Sequence, residues 1–167
     1  MIQVYTGNGK GKTTAAFGLA IRSLGAGKKV YIAQFAKGRR CSELIALNRF
    51  DGIRIELFGG KAFIKKRPTK GDIASARAGL EKVKRIIAGG NCDLIILDEI
   101  NIALKLGLLP VKEVLAVIKK APGTMEIVLT GRYAPKKIIE AADLVSEIKE
   151  IKHYYHKGTK ARRGIEF

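Results

Sequence analysis

Four glycines, two lysines and a threonine pair crowd the stretch YTGNGKGKTTAAFG, Tyr5 to Gly18. Glycines let a backbone bend so that successive N–H groups face one anion. A helix starting there adds the partial positive charge of its N-terminus. Lys12 brings a mobile full charge, and the Thr13 hydroxyl is a ligand type for Mg²⁺. The chemistry these residues suit is the binding of a polyphosphate, with Gly7, Asn8, Gly9, Lys10, Gly11, Lys12, Thr13 and Thr14 as the cradle.

The usual spacing of such a loop is G-x-x-x-x-G-K-[ST]. Counting back from Gly11, the first glycine belongs at position 6, which is Thr6; the first glycine here is Gly7. The loop is therefore one residue short, and it implies a polyphosphate without implying hydrolysis. A second half of such a site is an acid ending a buried strand. LIILDE offers Asp98 and Glu99 in that place. One of them is expected to reach Mg²⁺ (or Mn²⁺) directly and the other through water, since this ion keeps several waters. The plainer alternative makes Asp98 a cap for a helix starting near Ile100.

These groups need elements to hold them. Ile2–Thr6 is a short β-rich run, and TTAAFGLAIRSLGAG reads as the helix after the loop, closed by Gly25 or Gly27. Lys29–Ala36 and Ile53–Phe58 read as strands with the short helix CSELIALNRF between them. From Asp72 to Ala88, Ile73, Ala76, Leu80, Val83 and Ile87 recur at helical steps, with Arg77, Lys84 and Arg85 outside that stripe. Asp93–Glu99 is a nearly unbroken apolar run, as in a strand buried on both faces of a parallel sheet. VKEVLAVIKK reads as a helix, MEIVLTGR as a buried strand, KKIIEAA as a short helix and DLVSEIKEI as a last strand or edge. The alternation implies one α/β layer sandwich over residues 1–167 with a mostly parallel sheet.

Bulk properties narrow the rest. The chain has 167 residues, 47% apolar, enough for a real core and against disorder. The net charge of +17 draws anionic partners, or reflects a heat-adapted charged surface. Cys41 and Cys92 stand far apart, against a disulfide framework or zinc knuckle, and suit a reducing cytosol. Met1 leads into IQVYT without a signal-peptide pattern, and no apolar run approaches the ~20 residues of a membrane span, so the expectation is a soluble, cytoplasmic protein.

The segments TGNGKGKTTAAFG, LDEINIAL, LTGR, ADLVSEI and KH, followed by a G-x-x-A-x-x-G-I-E ending, resemble in the same order the corrinoid adenosyltransferases of the cob(I)yrinic acid a,c-diamide type. The resemblance runs from about Ile2 to Phe167. It implies a single-domain P-loop (RecA-like) fold with helices on both faces of the sheet. It implies transfer of the 5′-deoxyadenosyl group of ATP to the Co(I) of a reduced corrinoid, with triphosphate leaving, and a nucleotide lying in the loop in the reverse of the ordinary sense. Lys12, Thr13 and Glu99 then carry the catalytic roles, and Thr13, Asp98 and Glu99 the metal. Lys10 is a phosphate contact or a solvated loop lysine. Arg22 matches a family position that reaches the nucleotide, or is a surface helix arginine. Arg132 ends its strand on the ligand-binding edge, in a phosphate or a structural role. Phe63, with Ile64, best matches the apolar wedge that removes the lower axial ligand of cobalt, although the chain has no tryptophan beside it; the alternative is a core anchor. His153 and His156 read as exposed tail residues rather than cobalt ligands.

Family relatives carry a longer leader over the site; this chain starts at the first strand, so that cover is expected to be absent or to come from another subunit. A homodimer and an acidic flavoprotein reductant are the implied partners, the latter suited to the positive charge. The rival reading is a nucleic-acid-stimulated P-loop ATPase, supported by the charge and the basic KGTKARR, and weakened by the lack of an aromatic stacking platform beyond Tyr154-Tyr155. A non-enzymatic corrinoid or nucleotide carrier is a third.

Overall fold

Leu94–Asp98 is apolar at every position until its last, and it forms a central strand because both its faces have something to bury against. The computed structural model describes residues 1–36, 41–60 and 67–166. Within them the chain runs β1 (Ile2–Thr6), α1 (Lys12–Gly25), β2 (Val30–Phe35), α2 (Ser42–Leu47), β3 (Ile53–Phe58), α3 (Lys70–Gly89), β4 (Leu94–Asp98), α4 (Ile100–Lys105), α5 (Val111–Ile118), β5 (Glu126–Thr130), α6 (Lys136–Glu140) and β6 (Leu144–Glu147). The strands form one sheet in the order β3-β2-β4-β5-β1-β6. Every pairing is parallel, a more uniform sheet than the mostly parallel one expected.

The two-residue period of the strands sorts the core onto two faces. Tyr31, Ala33, Phe35, Ile95 and Leu97 face the side covered by α3, α4 and α5. Val30, Ile32, Leu94 and Ile96 face the other side, against Ala16, Phe17 and Ala20 of α1 and Leu44 and Leu47 of α2. Each fully buried Ile or Leu contributes roughly 1.5–3 kcal/mol relative to exposure, so the three-layer stack is the stabilising unit. Gly79 lets α3 approach closely: a Cβ there would lie 2.7 Å from the Phe58 ring and 2.8 Å from that of Phe35.

The helix α3 starts at Lys70, earlier than its apolar stripe suggests. Thr69 caps it, accepting from the Asp72 amide at 3.2 Å while Asp72 accepts from the Thr69 amide at 2.9 Å. The hydrogen bonds from Thr69 hold the Asp72 carboxyl below the usual carboxylate range. DLVSEIKEI does supply an edge strand: β6 pairs with β1, and its residues are exposed. Among the described residues no helix is long and apolar enough to cross a membrane.

Candidate active site

The carboxyl ends of β1, β2, β4 and β5 lie side by side, and a polar residue closes three of them where the core ends: Gln34, Asp98 and Thr130. Asp98 is fully buried and gathers three donors. Its Oδ1 accepts from the Thr13 hydroxyl at 2.8 Å and from the Thr130 hydroxyl at 2.7 Å, and its Oδ2 accepts from Gln34 Nε2 at 2.7 Å. A buried carboxylate is tolerated when its lone pairs are satisfied in this way. Asp98 ties the first turn of α1 to the ends of β2 and β5, so the helix start and the acidic strand end form one rigid unit.

The segment after β5 is legible residue by residue. Thr130 donates to Asp98 and accepts from the Glu99 amide at 3.0 Å. Glu99 itself holds a left-handed backbone (φ 58°), a conformation that costs a non-glycine residue of order 1–3 kcal/mol and tends to occur at functional sites. Gly131 (φ 123°) gives it room: a Cβ there would stand 3.3 Å from Glu99 Oε2 and 3.1 Å from Asn101 Cβ. Arg132 then reaches the cavity.

That cavity, about 870 Å³, opens over the loop. Gly9 through Thr14 line it, together with Glu99 and Arg132. Lys12 is nearly buried, 8% exposed, and its Nζ donates to the Gly9 carbonyl at 2.5 Å. Burial, then the neighbouring Arg132 charge, holds the Lys12 ammonium's pKa below the ordinary lysine value, with Glu99 pulling the other way. The first part of the loop does a different job. The Gly9 amide donates to the Ile148 carbonyl at 2.7 Å. A Cβ on Gly7 would lie 2.4 Å from that carbonyl oxygen, and one on Gly9 2.7 Å from the Lys149 oxygen. Gly7 and Gly9 are thus glycines because the backbone beyond β6 packs directly on the loop.

Among the expected site residues, Gly9, Lys10, Gly11, Lys12, Thr13, Thr14, Glu99 and Arg132 meet at the cavity, with Asp98 buried directly behind Thr13. Gly7 and Asn8 stand outside its lining. Arg22 is exposed on α1, outside the lining, and its charge bears instead on the Tyr5 hydroxyl. Phe63 and Ile64 lie outside the described residues. His153 lines the cavity, its Nδ1 accepting from the Tyr155 amide at 3.0 Å, while His156 pairs with Glu150 at 2.7 Å. Sequence reasoning passed over Gln34 and gave no role to Thr130 or Glu166, although LTGR and the G-I-E ending contain them. Gln34 carried a signal, as the one amide side chain in the otherwise apolar and aromatic run VYIAQF.

The family described as ATP:corrinoid adenosyltransferase BtuR/CobO/CobP matches residues 1–167. The chain is 39% identical to a corrinoid adenosyltransferase of Pseudomonas aeruginosa, covering all of this chain and 83% of the relative. It is 36% identical to the corrinoid adenosyltransferase of Escherichia coli K12, covering all of this chain and 85% of the relative. Among solved structures, a KaiC-like protein from Pyrococcus horikoshii superposes with a TM-score of 0.55 at 19% identity, over 90% of this chain and 74% of that one, a likeness of fold alone. The chain belongs to the ATP:corrinoid adenosyltransferase family, enzymes that transfer the adenosyl group of ATP to the cobalt of a corrinoid.

Proposed function

We propose that the transfer proceeds by attack of a reduced corrinoid Co(I) on the 5′-carbon of ATP, with inorganic triphosphate as the leaving group. The cobalt electron pair forms the Co–C bond, the C5′–O bond breaks, and its pair stays on the α-phosphate oxygen. The observation that carries this reading is the convergence of Lys12, Thr13, Glu99 and Arg132 on one cavity over a shortened loop. An enzyme that attacks the γ-phosphorus must activate that atom; one that attacks the 5′-carbon has only to hold the whole triphosphate as it departs. Lys12 and the loop amides are preorganised for the charge that grows on it, a kind of contribution worth ~3–4 kcal/mol per well-placed donor. A nucleotide lying in the reverse sense along the part of the loop that lines the cavity, Gly9 to Thr13, fits that task. The presence of β5 between loop strand β1 and acidic strand β4 supports a RecA-like P-loop reading of the sheet.

The residues fit Mg²⁺ (or Mn²⁺). The donors are all oxygen, and the Thr13 hydroxyl, by donating to Asp98, keeps its lone pairs for a cation on the cavity side. Among the described residues no group of three His, Cys, Asp or Glu side chains could hold a metal, which suits an ion that takes few protein ligands and completes its shell with phosphate and water. In this reading Thr13 and Glu99 hold the ion, and Asp98 fixes Thr13. When bound, the ion neutralises the departing phosphate oxygens.

The apolar lining from Ala36, Ala46, Ile102 and Ile165 suits the faces of the adenosine and corrin rings. Exposed Leu144 and Val145 on the edge strand, with Ile151 beyond it, support a homodimer. The +17 charge suits docking of an acidic flavoprotein reductant, and the two separated cysteines suit a cytoplasmic setting.

The test is anaerobic. Protein, ATP, Mg²⁺ and chemically reduced cob(I)alamin or cobinamide are mixed, and the light-sensitive Co–C product is quantified against phosphate species. The expected result is one triphosphate per alkylated corrinoid. ADP release stimulated by DNA or RNA, with no Co–C product, contradicts it.

A further inference from the structure

A segment well outside the loop in sequence also lines the cavity: His153, Gly164, Ile165 and Glu166. One carboxylate fastens that segment to the loop. Lys10 Nζ donates to Glu166 Oε1 at 3.0 Å and to the Tyr154 hydroxyl at 2.9 Å, and the Tyr154 hydroxyl also donates to Glu166. Glu166 is in turn held by Arg162, through the backbone amide at 2.6 Å and the guanidinium at 3.2 Å. The Arg162 guanidinium and the Lys10 ammonium both lie over the Tyr154 ring, 5.0 Å and 5.6 Å from its centre.

We propose that Glu166 is a positioning residue for the triphosphate: it holds the Lys10 ammonium at the mouth of the phosphate cradle and aims it at the nucleotide. This rests on the reading of the cavity as the ATP site. An ammonium has three donors. Two are engaged by Glu166 and Tyr154, which leaves one for a phosphate oxygen. The charge balance also favours the anion. Arg162 neutralises Glu166, so the cluster of Lys10, Arg162 and Glu166 keeps one net positive charge beside the cavity. The Arg162 and Tyr154 hydrogen bonds hold the Glu166 carboxyl well below the usual carboxylate range, so it stays ionised under working conditions. A free lysine side chain loses much rotamer freedom when a ligand fixes it. Fixing it beforehand removes that cost from binding. The half-exposed Lys10, open to two readings in the sequence, thereby acquires the phosphate role.

The test measures Kd for MgATP by calorimetry together with kcat, in wild type, Glu166→Gln, Lys10→Ala and the double variant. Glu166→Gln is expected to raise Kd and the ATP KM about tenfold, as for loss of one charge-assisted contact, with kcat within about twofold. In the Lys10→Ala background the same change has no further effect. An unaltered Kd overturns the proposal. So does an equal weakening in the Lys10→Ala background, because Glu166 then acts independently of Lys10. Tyr154→Phe, which removes one partner and leaves the carboxylate, guards against a misfolded Glu166 variant; it is expected to weaken binding in the same direction, and unchanged binding counts against the proposal. A wild type that binds MgATP but forms no Co–C product refutes the adenosyl-transfer reading, while the Kd comparison still judges Glu166.

Discussion

Lys12→Ala is expected to lower kcat/KM for ATP by about 10²–10³-fold, the usual consequence of deleting one preorganised donor to a developing anion. Lys12 opens α1 at the end of the shortened loop, nearly buried, with its ammonium on the Gly9 carbonyl, and it lines the cavity proposed for the triphosphate. Its environment adds a pH signature. Burial and the Arg132 charge depress its pKa, and the ammonium is the form that binds phosphate. ATP binding is therefore full below that depressed pKa and declines as pH rises through it, so the alkaline limb of kcat/KM begins below the ordinary lysine range. Lys12→Arg keeps its charge throughout, and its profile is expected to lose that limb even where its rate is low. Steady-state kinetics across alkaline pH, with photolabile product as readout, decides both points. A Lys12→Ala enzyme within threefold of wild type contradicts the assignment.

Asp98→Asn is the second large effect, and it strikes folding and activity together. Three donors converge on the Asp98 carboxylate, from Thr13, Thr130 and Gln34. An asparagine amide turns an NH₂ toward at least one of them, leaving a buried donor facing a donor. The expected cost is about 1–3 kcal/mol of stability, seen as a lower urea midpoint with an unchanged slope. Catalysis suffers further, because the Thr13 hydroxyl then meets either an NH₂ or a neutral amide oxygen in place of the carboxylate that turns its lone pairs toward the cavity. A fall in kcat of about 10²-fold at saturating Mg²⁺ and ATP is expected, of the order seen when an outer partner of a metal ligand is removed. An Asp98→Asn enzyme with native stability and rate excludes Asp98 as the organiser of the site.

The groups that depend on neighbours in sequence were readable from the chain. Hydrophobic period gave the strands and most of the helices with their buried stripes, whereas α4 entered only as the helix that Asp98 would cap; the loop from Gly9 to Thr14 sits where its glycines and Lys12 suggest. The groups joined across long separations were not. Gln34 and Asp98 are 64 residues apart, and Lys10 and Glu166 are 156 apart. No periodicity connects them; only the order of strands in the sheet and the return of the chain past β6 do. Gly7 shows the same limit from the other side. It reads as a phosphate-loop glycine, yet what a side chain would strike there is the Ile148 carbonyl, a contact visible only once β6 lies beside β1. Arg22 had a match by family position alone, and it is exposed on α1 outside the cavity lining.

In the proposed reaction the loop holds a leaving triphosphate and does not activate the γ-phosphorus. ATP in which an NH group replaces the oxygen bridging the β- and γ-phosphates separates these two roles. That bond is untouched when the C5′–O bond breaks, so the analogue is expected to adenosylate cob(I)alamin at a rate within about tenfold of ATP, releasing intact imidotriphosphate. An enzyme that alkylates cobalt with ATP but not with this analogue, and that yields ADP or pyrophosphate in step with product, contradicts the claim.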